Sequence, residues 1–188
     1  MKLTNSEVID IGKAWIGVTL AFQGGTMLAG SFSLLSFLFT FLIVGGAVIL
    51  HELGHKAMAQ RFGVASQFKS NDSMLLFGVV IAILTGFVFL APGAVHLSRA
   101  IPQKETALIA WAGPAVNGLL ALLSLPFTFL ELAMTGWFET TLLINAFLGL
   151  FNMIPFPGFD GQKVLAGDKT LYWGTVGILG ILLTLRFI

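Results

Sequence analysis

The stretch FSLLSFLFTFLIVGGAVIL, Phe32 to Leu50, runs without a charged residue straight into His51-Glu52-Leu53-Gly54-His55. As a helix those nineteen apolar residues span about 28 Å, close to the thickness of a hydrocarbon layer, which puts the two histidines in the far third of a bilayer. Ionisable side chains at such depth cost on the order of 2.5 to 3.5 kcal/mol each on insertion scales, and those that persist line a functional interior. Residues four apart share one helix face with a rise of about 6 Å. Both imidazoles can therefore reach one metal ion while Glu52 lies beside it.

The five residues match HExxH, the pattern of metalloprotease helices. The bland alternative is a pair of ordinary histidines near a helix end. Glu52 completes the pattern instead of interrupting it, and the apolar run that precedes it gives two histidines no structural reason to be there.

Composition points the same way. Hydrophobic residues make up 56% of the 188 and charged residues 10%, more apolar surface than one soluble core hides. The expected class is an all-α integral membrane protein, a bundle of five or six membrane segments forming a single domain over residues 1–188. With no cysteine, disulfides and thiolate metal sites are excluded, so any metal must be held by His, Asp or Glu. A net charge of +1 gives no sign of nucleic-acid binding. Glu7 and Asp10 before the first apolar stretch argue against a cleaved signal peptide.

Apolar segments fall at about Val8 to Phe22, Ser31 to Ala59, Met74 to Ala91, Thr106 to Leu130, Trp137 to Ile154 and Leu171 to Phe187. Lys56, Arg61 and Lys69 follow the second, Arg99 and Lys104 the third, and Lys163 and Lys169 the fifth. Six single crossings would divide these basic loops between both faces, against the positive-inside tendency. If Met74 to Ala91 instead enters and returns on one side, every basic loop shares a face with Lys2 and Lys13, and the acidic turn at Glu131 to Glu139 stands opposite. Gly78, Gly86 and Pro92 tolerate such a broken path. The basic face, and with it the motif end, is then cytoplasmic, and a multi-pass protein of the cell membrane is expected.

A catalytic zinc takes three protein ligands and leaves one position to water. Glu131, Glu139, Glu105, Asp72 and Asp168 lie in turns, loops or loop ends. Asp160 follows Asn152-Met153-Ile154-Pro155-Phe156-Pro157-Gly158-Phe159, where two prolines stop the fifth helix and unwound apolar chain leads the carboxylate back toward the core. His96 is the rival ligand, but Pro92-Gly93-Ala94-Val95-His96-Leu97 reads more readily as an extended segment suited to pairing with a substrate strand. Asn152 has two readings, an internal hydrogen bond to backbone freed near Pro155 or a contact to substrate or a developing oxyanion.

HELGH at 51 to 55, Ala112-Gly113-Pro114 to Asn117, and N-x-x-P-x-P-x-x-D-G at Asn152 to Gly161 together resemble the site-2 protease family of intramembrane zinc metalloproteases, in a compact form and over about residues 31 to 165. The resemblance implies that His51, His55 and Asp160 bind one zinc ion and that Glu52 is the general base. It implies a three-helix core carrying the three motifs in alternating directions, with the metal nearer the cytoplasmic side. It also implies substrates that are themselves membrane-spanning proteins, with Asn152, Asn117 and the segment Gly93, Ala94, Val95 and His96 as candidate substrate or oxyanion contacts. The chain departs from the family in having Phe159 where Leu is common before Asp-Gly, and the PDZ or CBS domains of many members are not expected in it. Two other functions compete: a membrane-anchored zinc protease acting on soluble or surface segments, and a non-enzymatic metal carrier that would not need Glu52.

Overall fold

A computed structural model of the protein describes every residue except Phe87, Phe89, Leu90, Ala91, Glu131 and 186–188. The chain forms α1 (Asn5–Leu28), α2 (Leu34–Thr40), a π-helical turn (Phe41–Gly45), α3 (Gly46–Arg61), β1 (Ser66–Ser70), α4 (Asp72–Thr85), β2 (Gly93–Leu97), α5 (Gln103–Thr128), α6 (Thr135–Asn152), α7 (Asp160–Gly167) and α8 (Lys169–Thr184). Among the described residues two continuous helical stretches are long and apolar enough to cross a membrane, Leu34–Arg61 and Gln103–Thr128. Large apolar side chains such as Leu35, Leu84, Leu123, Phe129 and Ile181 stand on the outside. In water that belt would be an aggregation surface, whereas lipid solvates it.

Local sequence explains the breaks. Thr4 opens α1 with a capping box, its side chain accepting from the Glu7 amide while Glu7 accepts from the Thr4 amide. Gly63, at φ +66°, closes α3 in the left-handed conformation, with the Val64 amide donating back to Ala59. A π-helical turn interrupts Leu34–Arg61, and there Phe41 O accepts from the Trp15 indole of α1 at 2.6 Å as well as from the Gly46 amide.

Among the described residues, the segment expected at Met74 to Ala91 is helical only over Asp72–Thr85. Its helical part has 14 residues, about 21 Å, too short for the hydrocarbon layer. Strands β1 and β2 pair antiparallel with Ser70 opposite Gly93, so the chain leaves and returns at neighbouring positions of one small sheet. Strand β2 coincides with the extended segment read at Gly93 to Leu97. Strand β1 was not anticipated, because SQFKS has one large apolar residue and no β-branched one. The end of the apolar segment, from Phe87 to Ala91, and the acidic-turn residue Glu131 lie mostly or wholly outside the described residues.

Helices α3, α5 and α6 alternate in direction. Ala47 and His51 meet Asn117 of α5 while His55 meets Ile109, and Asn117 and Phe127 of α5 meet Asn145 and Phe138 of α6. Small residues make this closeness possible: a Cβ on Gly54 would stand 2.8 Å from the Ala112 carbonyl oxygen.

One expectation from the charge pattern needs correction. Lys56, counted above with the basic loop after the second segment, is wholly buried in α3 and paired with Glu7. Lys13 is likewise held by Asp72, at 2.8 Å. Among the described residues the exposed basic ones are therefore Lys2, Lys13, Arg61, Lys69, Arg99, Lys104, Lys163 and Lys169.

Candidate metal centre

Helix α3 presents His51 and His55 on one face toward α5, and both are buried. Asp160 is the first residue of α7. Met153 to Phe159 is irregular because Pro155 and Pro157 cannot continue α6, and that break turns the chain so that the carboxylate faces the two rings. Close approach again depends on absent side chains. At Gly161 a Cβ would lie 2.1 Å from Met153 O, and at Gly113 it would lie 2.5 Å from the His55 ring and 2.6 Å from His51 Nε2.

Three atoms converge. His51 Nε2 and His55 Nε2 are 3.1 Å apart, and Asp160 Oδ2 is 3.2 Å from the first and 3.1 Å from the second. The outer hydrogen bonds settle the tautomers. Asn117 Nδ2 donates to Ala47 O and Asn145 Oδ1, which leaves Asn117 Oδ1 to accept, and His51 Nδ1–H donates to it at 2.6 Å. His55 Nδ1–H donates to Ile109 O, which can only accept, at 2.8 Å. Each neutral ring then turns a bare Nε2 lone pair toward the other and toward a carboxylate oxygen.

Three acceptors without a hydrogen between them repel one another unless a cation sits among them. Ligands about 2.0 to 2.1 Å from a tetrahedral zinc stand about 3.3 Å apart, close to the three observed separations. The donor set therefore fits the ion. Imidazoles whose other nitrogen is anchored to an amide or carbonyl oxygen are the usual supporting arrangement for such ligands.

The remaining expected site residues fall as follows. Glu52, next to His51 on α3, is partly buried and makes no hydrogen bond among the described residues. His96 is exposed on β2, away from the convergent group. Gly93, Ala94 and Val95 lie with it in that strand. Asn117 is fully buried, its oxygen accepting from His51 and its amide donating to Ala47 O and Asn145 Oδ1, so it orients His51. Asn152 uses its amide within α6, donating to Leu148 O at 3.0 Å, one turn back and not near Pro155. Asp72 is taken by Lys13, and Asp168 caps α8 by accepting from the Leu171 amide. Asn145 and the Ile109 carbonyl were not anticipated. A lone Asn in the apolar run of α6 was the available signal for the first, and nothing in the sequence marks the second.

A metalloprotease-type helix, a carboxylate from a later helix and anchored imidazoles define a metallopeptidase centre. The chain belongs to peptidase family M50, whose description matches residues 39–133, taking in HELGH and Ala112 to Asn117. It is 32% identical over 192 residues to the Methanocaldococcus jannaschii protein named "Putative zinc metalloprotease MJ0611", covering 99% of this chain and 97% of that one. It is 28% identical over 137 residues to "Zinc metalloprotease MJ0392" of the same organism, covering 71% of this chain and 35% of the relative. No solved structure matches the chain.

Proposed function

We propose that this M50 zinc metalloprotease hydrolyses peptide bonds in the transmembrane segments of other membrane proteins. The observation that carries the reading is the meeting of three lone-pair donors, His51 Nε2, His55 Nε2 and Asp160 Oδ2, on helices built for lipid surroundings. Five crossing segments (α1, α2 with α3, α5, α6 and α8) and one re-entrant segment at α4 account for the apolar lengths. The protein is then a multi-pass component of the cell membrane. Exposed basic residues at Arg61, Lys69, Arg99, Lys104, Lys163 and Lys169 favour the cytoplasmic side for the end of α3.

His51, His55 and Asp160 hold the zinc. A zinc ion held there would supply polarisation of a peptide carbonyl and a water whose pKa lies toward about 7. Glu52, one residue from His51, takes the proton of the attacking water and delivers it to the leaving amine. Asn117 and Asn145 keep the His51 ring turned inward, and Ile109 does the same for His55. A transmembrane helix hides its peptide bonds in its own hydrogen bonds, so the substrate must unwind locally. Strand β2 supports pairing with the unwound stretch, because its outward edge is unpaired among the described residues.

The test is cleavage of a single-span reporter reconstituted with the protein, beside the same sequence presented as a soluble peptide. Cutting within the spanning segment is expected with wild type and not with Glu52→Gln. Cutting of the soluble peptide alone would replace the proposal with a protease of extramembrane segments, and equal cutting by Glu52→Gln would remove Glu52 from the mechanism.

A further inference from the structure

The small sheet has two outer edges, and the molecule treats them differently. In the antiparallel ladder the residues that bond across are flanked by Ser98 N–H to Ala65 O and Asn71 N–H to Pro92 O. Alternation then makes Ser66, Phe68 and Ser70 of β1, and Gly93, Val95 and Leu97 of β2, point their backbone groups outward. On β1 two of these are taken. Lys56 Nζ donates to Ser66 O at 2.7 Å, and Glu7 Oε1 accepts from the Phe68 amide at 2.9 Å.

Lys56 and Glu7 also bond each other at 2.5 Å, with both side chains 1% exposed. The second oxygen of Glu7 accepts from the Thr4 amide and hydroxyl, so both carboxylate oxygens and the Lys56 ammonium have partners. A buried ion pair is seldom a stabilising choice over two apolar side chains of the same size. What the apolar pair cannot do is offer one donor and one acceptor, spaced like a peptide's, to the edge of a strand. Among the described residues β2 pairs only with β1, and no side chain bonds the outward backbone groups of Gly93, Val95 or Leu97.

We infer that Glu7 and Lys56 form a positioning clasp that stands in for a third strand on β1. The clasp closes that edge and leaves the edge of β2 as the place where an unwound substrate strand adds. This rests on the strand-pairing reading above and extends it by naming what selects the edge. Because Lys56 directly follows His55, the same clasp ties the sheet to the metal-binding turn of α3, so an added strand is registered against the centre.

Edge choice can be read by disulfide formation, since the chain has no cysteine. Ala94 and Lys69 are opposite one another and both exposed, one on each strand. A strand added beside β2 lies about 5 Å from the first strand it meets and about 10 Å from the second. In a Glu52→Gln background, single-span reporters bearing one cysteine at successive positions should cross-link to Ala94→Cys and not to Lys69→Cys. Adding Glu7→Leu with Lys56→Met should lower that preference about tenfold and, in the chain that keeps Glu52, raise KM with kcat retained, zinc staying at one per chain. An unchanged preference in the zinc-replete double variant would overturn the clasp and leave strand addition standing. Absence of any preference for Ala94 without the clasp substitutions would overturn strand addition itself. Hydrogen exchange on the unmodified protein decides the matter even if the double variant fails to fold. The Phe68 amide should be protected with or without reporter, and the Val95 amide only with it. Equal exchange of the two without reporter would contradict the inference.

Discussion

Helix α3 carries two buried polar clusters one residue apart, and they are built on opposite principles. At Lys56, donors and acceptors balance: an ammonium, a carboxylate, a carbonyl and an amide complete one another within 2.5 to 2.9 Å. At His51, His55 and Asp160 only acceptors meet, at 3.1 to 3.2 Å, while every donor on the rings points outward to Asn117 and Ile109. In the first cluster the ammonium and both carboxylate oxygens have partners, only the neighbouring Ser66 hydroxyl lacking one, and this cluster serves the architecture. With both rings neutral the incomplete one has no hydrogen between its acceptors, and that deficit fits a bound cation.

The largest effect expected falls beside the incomplete cluster. Glu52→Gln should lower kcat/KM for a transmembrane reporter by about 10²- to 10⁴-fold while zinc content stays unchanged, because the substitution removes proton transfer and no ligand. Loss of zinc together with activity would blur the distinction drawn between ligand and base. In the complete cluster, Lys56→Met alone leaves Glu7 charged and buried, and thermal unfolding should show a loss of about 3 to 5 kcal/mol. Glu7→Leu with Lys56→Met should recover most of it, and equal destabilisation by the single and double variants would show that the pair is not self-contained.

Smaller changes follow from the supporting bonds. Asn117→Ala removes the acceptor for His51 Nδ1 and should weaken zinc affinity about 10- to 100-fold by competition with a chelator, without unfolding the chain. The smallest effect concerns the exposed bond between α1 and α4. The hydrogen bond from Lys13 holds the Asp72 carboxyl below its ordinary value of 3.8, with Ser70 adding a second. A depressed carboxyl contributes stability above that ordinary value and loses it as pH falls through the lowered one. Wild type should therefore melt slightly above Asp72→Asn at neutral pH, and the two curves should merge below pH 3.8. A gap that widens on acidification would reverse the assignment.

Much of the incomplete cluster was legible because chemistry and position conflict there. His51, Glu52 and His55 stand out against nineteen apolar residues, and Pro155 and Pro157 announce that α6 stops before Asp160. Its supports were not legible, since Asn145 and the Ile109 carbonyl acquire a role only when α5 and α6 are aligned beside α3. The complete cluster was misread for a related reason. A lysine after an apolar run looks interfacial, and nothing local pairs Lys56 with a glutamate 49 residues earlier. Loop charge favours a path that returns to one face, and the pairing of Ser70 with Gly93 accords with it, but strand β1 lacks the alternation that betrays a strand.

Elemental analysis of purified wild type, Asp160→Ala and Glu52→Gln tests the central claim most directly. One zinc per chain is expected in wild type and in Glu52→Gln, with little or none in Asp160→Ala. Full zinc in Asp160→Ala would mean that the three convergent acceptors are not the metal site.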